Sequence, residues 1–553
     1  MPLIDALVAA LLAVSPPVVD APRLLVVISV DQMRPDQLTR LAPLLDGGLG
    51  RMLREGLEFR AATLDYAATE TGPGHTTLGT GCLPRTHGIV GNDMWLTDEQ
   101  RTTYCLAQDG EARVTSMGVL EVGPDRGRGP AHMRAPALAE RVRAAYPAAK
   151  VVSIAGKDRS AIGMTGRAGD AVLWWDRADG GFESTTAYCR ALPAWAQAWN
   201  ETWLELCSGW RWEPLRTTGL EALGTARDDR DGEAVFGPFG RGFPYQLLEV
   251  KDRADRGELG RLATLVYSSA LVDECVARLA RVAIAREGLG LDDVPDVLTL
   301  SFSATDTVGH ANGPFSHEVT DVVLRLDREL GALFAQLDEQ VGAGRWTAAL
   351  SADHGVLPLP EHMVAGLVGA RRVDTGELRA TRDAIRAALS ERYGERLEKK
   401  SDGEGFILDH ARVAELGIDL AEARKVARDA AVGAIRAGSW LATAYTFDEL
   451  AAPETEAGDP WRALFVNSFD AERSYDVVFR NAPWTLLGRG TGTSHGTCYP
   501  YDREVPLVFL GAGIPRGVRS DHAGSVDVVP TLLARIGVPC AAPVDGRDLL
   551  AGE

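Results

Sequence analysis

Three apolar runs in this chain each lead into an acid. Leu24–Val30 is followed by Asp31, residues 297–303 by Asp306, and Trp346–Ser351 by Asp353. Short Val/Ile/Leu-rich runs of this kind, bounded by turn residues, predict strands buried on both faces. Residues 151–154 and 505–510 read the same way, and amphipathic stretches lie between the runs. That alternation predicts an α/β fold, a central, mostly parallel sheet flanked by helices on both faces. Ligands of an open parallel sheet gather at the carboxyl ends of its strands. Three acids far apart in sequence are therefore expected at one edge.

Residues 318–340 predict a long helix, with Val322, Leu326, Leu330, Leu333 and Leu337 at helical spacing. Residues 526–536 predict another, opened by Ser525, with Pro530 early in it. Two stretches break the rhythm: 174–260, rich in Trp, Gly and Arg, and 357–480, which ends in acidic segments. Both are read as insertions, or cap segments, in one core domain spanning 22–553. Trp174-Trp175 reads as a core anchor, with a stacking platform for a ring ligand as the alternative.

Residues 1–21 carry an apolar run followed by Ser15-Pro16-Pro17, the core of a signal peptide. A periplasmic or secreted protein is expected, although no basic residue precedes Arg23 and Asp5 interrupts the run. No other apolar stretch is long enough for a transmembrane helix, so no membrane anchor is expected. Acidic residues outnumber basic ones, 77 to 58, giving a formal net charge of −19. Such a chain repels nucleic-acid backbones, and no basic stretch offers a local exception. Its seven cysteines lack C-x-x-C spacing, which argues against a thiolate metal site. Cys189 with Cys207 is the nearest candidate disulfide in an exported chain; buried free thiols are the alternative.

The metal-ligand types cluster in motifs. Asp306-Thr307-Val308-Gly309-His310 places an acid and an imidazole four apart, Asp353-His354 places them side by side, and His495 lies in Gly492-Thr493-Ser494-His495-Gly496. With Asp31 and Thr71 they supply three carboxylates, three imidazoles and a hydroxyl. Mixed Asp/His sets suit Zn²⁺, and the number is enough for two sites around one nucleophile. Thr71 opens Thr71-Gly72-Pro73-Gly74-His75, read as a sharp turn into a helix. A hydroxyl there faces free N–H groups that favour a phosphoryl anion, and metal activation would make it a nucleophile. A simple helix cap is the alternative. Lys157 and Arg159, two apart after a strand, could both point at one phosphoryl group with Asn92 as a neutral donor; the alternative is a solvated loop pair. His75 and His87 are read as packing or supporting residues.

Asp31, T-G-P-G-H at Thr71, G-I-V-G-N ending at Asn92, K-D-R at Lys157, D-T-V-G-H at Asp306, D-H-G at Asp353 and G-T-S-H-G around His495 resemble the alkaline phosphatase superfamily. The similarity is to its phosphate-irrepressible, threonine-nucleophile bacterial branch and runs in order from about residue 24 to 550. It implies one zinc on Asp306, His310 and His495, a second on Asp31, Asp353 and His354, and Thr71 attacking through a phospho-threonine intermediate. It implies small phosphate monoesters as substrates, recognised by Asn92, Lys157 and Arg159. A phosphodiesterase or nucleotide pyrophosphatase on the same scaffold is the alternative enzyme, and a catalytically silent metal-binding receptor is the alternative of another class. Oligomeric state is left open.

Overall fold

The computed structural model describes residues 21–237, 239–363, 369–452 and 459–552. The signal segment expected at 1–21 lies outside them but for its last residue.

Eleven strands form the central sheet: β1 (Leu24–Val30), β2 (Leu57–Ala62), β3 (Arg113–Thr115), β4 (Gly118–Leu120), β5 (Val151–Ala155), β6 (Ala171–Trp175), β7 (Phe182–Thr185), β8 (Asp296–Phe302), β9 (Trp346–Ser351), β10 (Leu507–Gly511) and β11 (Gly517–Ala523). Their order is β11-β2-β10-β9-β1-β8-β5-β6-β7-β3-β4. The middle, β9-β1-β8-β5-β6, is parallel throughout. β10 runs antiparallel to both β9 and β2, between which it lies. Every residue of β1, β8 and β9 is buried. Because successive side chains point to opposite faces, both faces of the sheet must be covered. Five of the helices that matter here are α1 (Thr71–Thr80), α2 (Asp158–Thr165), α3 (Leu271–Glu287), α4 (Ala304–Asn312) and α5 (His317–Leu337).

β1 and β9 keep their expected limits. The long helix begins one residue early, where Ser316 caps it by accepting from Val319 N–H, and after Leu337 it widens into a π turn. The helix expected at 526–536 starts as a 3₁₀ turn, Ser525–Asp527, before Val528–Arg535.

The two irregular stretches differ from each other. The first begins inside β6 and contributes β7, so it is partly core. Trp175 packs edge-on against Phe182 and Trp203, and Trp212 against Phe243, within the main apolar cluster. The anchor reading of Trp175 describes that position. The second stretch carries its own antiparallel sheet (Glu398–Ser401, Gly405–Leu408, Leu441–Thr446, Val477–Asn481) and its own apolar cluster around Phe406, Trp440 and Leu389.

The candidate Cys189–Cys207 pair is not a disulfide; all seven cysteines are free, five of them buried, as the free-thiol reading has it. Cys207 instead faces the core, its Sγ 3.9 Å from that of Cys275 on α3. No helix among the described residues is long and apolar enough to cross a membrane.

Candidate active site

Four adjacent strands end at one place. Asp31 follows β1, Asp353 and His354 follow β9, Asp306 and His310 lie on α4 just after β8, and Lys157 follows β5. The carboxylates are buried: Asp31 and Asp353 are 0% exposed and Asp306 is 4%. Three acids in a dry pocket repel one another. Burial, and then the charges of Asp306 and Asp353, push Asp31 well above the usual carboxylate range. Lys157 answers part of this charge, its Nζ 2.7 Å from Asp31 Oδ2 and 2.5 Å from Asp306 Oδ2.

The three imidazoles share one arrangement. Nδ1–H of His310 donates to the Thr493 carbonyl at 2.8 Å, that of His354 to Gly355 at 2.9 Å, and that of His495 to Thr69 at 2.8 Å. A carbonyl only accepts, so each Nδ1 carries a proton, and in the neutral imidazole Nε2 is then the nitrogen with the lone pair. These Nε2 atoms converge on the acids. His310 lies 3.1 Å and His495 3.6 Å from Asp306 Oδ1, and His354 lies 3.2 Å from Asp353 Oδ2 and 3.7 Å from Asp31 Oδ1. Burial, followed by the neighbouring imidazoles His354 and His310, holds His495 far below its ordinary value, and burial also lowers His354; both are neutral.

This donor set fits divalent metal ions. Asp31 Oδ1, Asp353 Oδ2 and His354 Nε2 are buried without a hydrogen-bond donor, a costly state unless a cation satisfies them. Backbone carbonyls that fix the far nitrogen of an imidazole are the usual support of a metal ligand. Asp306, His354 and His495 offer atoms within 4.8 Å of one another, as do Asp31, His75 and Asp353. His75 is a brace in that second group. Its Nδ1–H donates to the Thr71 carbonyl at 2.9 Å, with Asp353 Oδ2 3.1 Å from the same nitrogen, while Nε2 meets Ser301 Oγ at 2.8 Å. Both ring nitrogens are occupied.

Thr71 is the first residue of α1, so Gly72-Pro73-Gly74 form its first turn and not a turn ahead of it. Pro73 is tolerated there because the opening N–H groups lack intrahelical partners anyway. Gly, Pro and Thr are poor helix formers; this helix exists because all ten residues are buried. Gly74 allows the closest contact: a Cβ there would lie 2.2 Å from Asp353 O and 2.6 Å from its Cβ. We therefore expect Gly74→Ala to displace α1 from Asp353, costing about 1–3 kcal/mol of stability and about 10²-fold in turnover from misplacement alone. Unchanged Tm and kcat in that variant would show the contact to be compliant.

Arg159, on α2, places Nη2 3.4 Å from Thr71 Oγ1. Asn92 accepts from Gly72 N–H through Oδ1 at 2.8 Å, which leaves its NH₂ as the free donor. Lys157 and Arg159 are not a solvated loop pair: Lys157 is 4% exposed and both sit at the start of α2. Lys157 is the N-cap of α2 and faces the carboxylates, the strongest negative charge in reach, whereas Arg159 faces Thr71.

Two supporting residues are missing from the sequence reading. Gln32, in a left-handed backbone conformation (φ 67°), links the two ligand groups: its N–H donates to Asp353 Oδ1 at 3.0 Å and its Nε2 to Asp306 Oδ1 at 2.6 Å. Its position directly after Asp31 was the only signal. Glu70 Oε2 accepts from Asn92 N–H at 2.7 Å and so fixes that donor from behind.

A family model for type I phosphodiesterase / nucleotide pyrophosphatase matches residues 25–405. The chain belongs to this family, within the alkaline phosphatase superfamily. It is 31% identical to alkaline phosphatase PhoK from a Sphingomonas species, over 96% of this chain and 92% of that protein. It is 28% identical to alkaline phosphatase PafA from Elizabethkingia meningoseptica, over 95% and 93%. The crystal structure of wild-type PafA superimposes with a TM-score of 0.85 at 26% identity, covering 96% of this chain and 99% of that one. A Myroides odoratus relative, 30% identical over 93% and 91%, bears the name calcium-transporting ATPase.

Proposed function

We propose that this protein is a zinc-dependent alkaline phosphatase that releases inorganic phosphate from phosphate monoesters. The observation that carries the reading is the set of three imidazoles, each pinned at Nδ1 by a backbone carbonyl and presenting Nε2 to buried carboxylates beside Thr71. Kinship with phosphatases over nearly the whole chain supports it. Asp306, His310 and His495 would hold one zinc ion; Asp31, Asp353 and His354 would hold the other. Two such ions would lower the pKa of the Thr71 hydroxyl and offset charge on the leaving oxygen.

The protein's own groups do the rest. Thr71 Oγ attacks phosphorus in line as the ester P–O bond breaks and the alcohol leaves, giving a phospho-threonine; water then attacks its phosphorus, releasing inorganic phosphate and restoring the Thr71 hydroxyl. Arg159 Nη2, already beside Thr71 Oγ1, donates to a non-bridging oxygen as its charge develops. The NH₂ of Asn92 donates to another, held in direction by Gly72 and Glu70. Phosphoryl transfer asks chiefly for such positioning and charge neutralisation. The part of Lys157 in this scheme is electrostatic, acting from among the carboxylates. We further infer that the chain is exported and that residues 22–553 form one catalytic domain, in which the stretch with its own sheet shapes access to the site.

Comparing kcat/KM for 4-nitrophenyl phosphate with that for the matching methyl diester tests the reading. We expect a strong monoester preference, and a loss of about 10²–10³ in rate for Arg159→Ala by the scale of oxyanion-donor deletions. A diester preference that survives the loss of Lys157 and Arg159 would instead make the protein a phosphodiesterase, the activity that the family model is named for.

A further inference from the structure

Beyond Lys157 and Arg159 the site opens into a cavity of about 840 Å³, the size of a pocket for a small organic ligand. Its charge is opposite to that of the chain. The lining includes six cations: Arg113, Arg126, Arg128, Lys157, Arg159 and Arg177. Only three acids face it, and each is already engaged. Asp158 accepts from Tyr104 Oη, Arg128 Nε and Arg159 N–H, all at 2.8 Å. Asp176 and Glu183 share Arg113, at 2.8 and 2.5 Å, and Glu183 also accepts from Trp174 Nε1. In a protein of net charge −19, an excess of arginine in one concave place concentrates anions there.

The arrangement is built, not scattered. Tyr104 and Tyr267 both line the cavity. Each carries an arginine on its ring. Arg128 lies 4.5 Å from the Tyr104 centroid and Arg177 4.5 Å from that of Tyr267. Stacking of this kind orients a guanidinium; Arg128 directs its edge to Asp158, and that of Arg177 stays open. Arg126 and Arg177 make no ion pair among the described residues, so their charge is available to a ligand.

We infer that this cavity is a second phosphate-binding subsite, with Arg126 and Arg177 as its free guanidinium groups. Arg128, held by Asp158 and Tyr104, sets its wall. The inference rests on the phosphatase reading and deepens it: among monoesters, those carrying a second phosphate would bind best. A phosphate has the geometry to take a guanidinium edge with two parallel hydrogen bonds. Two sources offer that chemistry, the second phosphate of a substrate and free inorganic phosphate.

The test compares wild type with Arg126→Ala/Arg177→Ala and with the charge reversal Arg177→Glu. Substrates are a hexose 1,6-bisphosphate and the hexose 6-phosphate, with 4-nitrophenyl phosphate as a reference lacking any second anion. Both arginines are exposed and unpaired, so the variants should fold; equal Tm and equal turnover of the aryl ester check this. If the occupant is the substrate's second phosphate, kcat/KM for the bisphosphate relative to the monophosphate falls on the order of 10–100-fold in the double variant, and further with Arg177→Glu. If the occupant is free phosphate, that ratio is constant, and a non-competitive component of phosphate inhibition, seen in wild type, disappears in the variants. If neither the ratio nor the inhibition pattern changes, there is no second subsite. Absence of any aryl-ester turnover in wild type would instead defeat the phosphatase reading itself.

Discussion

Thr71→Ala is expected to abolish phosphate release while leaving the metal ligands in place. Thr71 is 1% exposed, at the first position of α1, with Arg159 its nearest cationic neighbour. Its hydroxyl is not needed to hold the helix, since Glu70 is the N-cap residue and the Gly74 N–H is taken by the Glu70 carbonyl at 2.9 Å. Alanine also favours a helix more than threonine does. The substitution should therefore cost little stability. Removing a nucleophilic hydroxyl that acts with its neighbours as a unit costs on the order of 10⁶ in kcat. The readouts are single-turnover phosphate release, zinc content, and ³²P labelling of the protein at low pH. Labelling in wild type that vanishes in the variant, with zinc retained, is the expected result. Full activity in the variant would remove Thr71 from the mechanism and leave it as a helix residue.

Withdrawing metal should have an effect of comparable size on activity and a clear one on stability. Three buried carboxylates face one ammonium, and an uncompensated buried charge is strongly destabilising. Chelation should eliminate turnover and lower Tm. Added zinc should restore both, contributing about 2.7 kcal/mol per site when its free concentration is 100 times Kd. Magnesium and calcium, which prefer all-oxygen ligand sets, should restore little, because half of the protein ligands are imidazoles. A Tm indifferent to chelator and zinc alike would mean that Lys157 alone balances the acids, and the metal reading would fall.

What sequence can and cannot show is visible residue by residue. Asp31, Asp306 and Asp353 were legible because an acid at or just past the end of an apolar run has few places to go except the strand's carboxyl edge. His354 and His310 were legible through their spacing from those acids. Gln32 was not, since its role comes from a left-handed backbone conformation that no side-chain pattern encodes. Nor was the start of α1 at Thr71: Gly and Pro signal a turn locally, and only burial on all sides turns them into a helix. The direction of Lys157 depended on where charge accumulates in three dimensions. The basic cavity was invisible for a similar reason. Its arginines lie at 113, 126, 128, 159 and 177, and no stretch of the chain is rich in them. The boundary expected at 174 fell inside β6 because Trp174 and Trp175 are the end of a strand and not the beginning of an insertion.

The place of β10 sets a schedule for biosynthesis. β2 is made early, yet it meets the rest of the sheet only through β10, which leaves the ribosome within the last tenth of the chain. Until then β9 keeps one open edge and β2 two, and His495, which completes the ligand set, comes only shortly before β10. A nascent chain thus holds its acids and most of its imidazoles for a long interval without a finished cage. Any chain cut short before β10 would leave both edges of β2 and one edge of β9 unpaired, the kind of surface that chaperones and proteases recognise. Completion of the ligand set and closure of the sheet thus both depend on the last stretch of the chain.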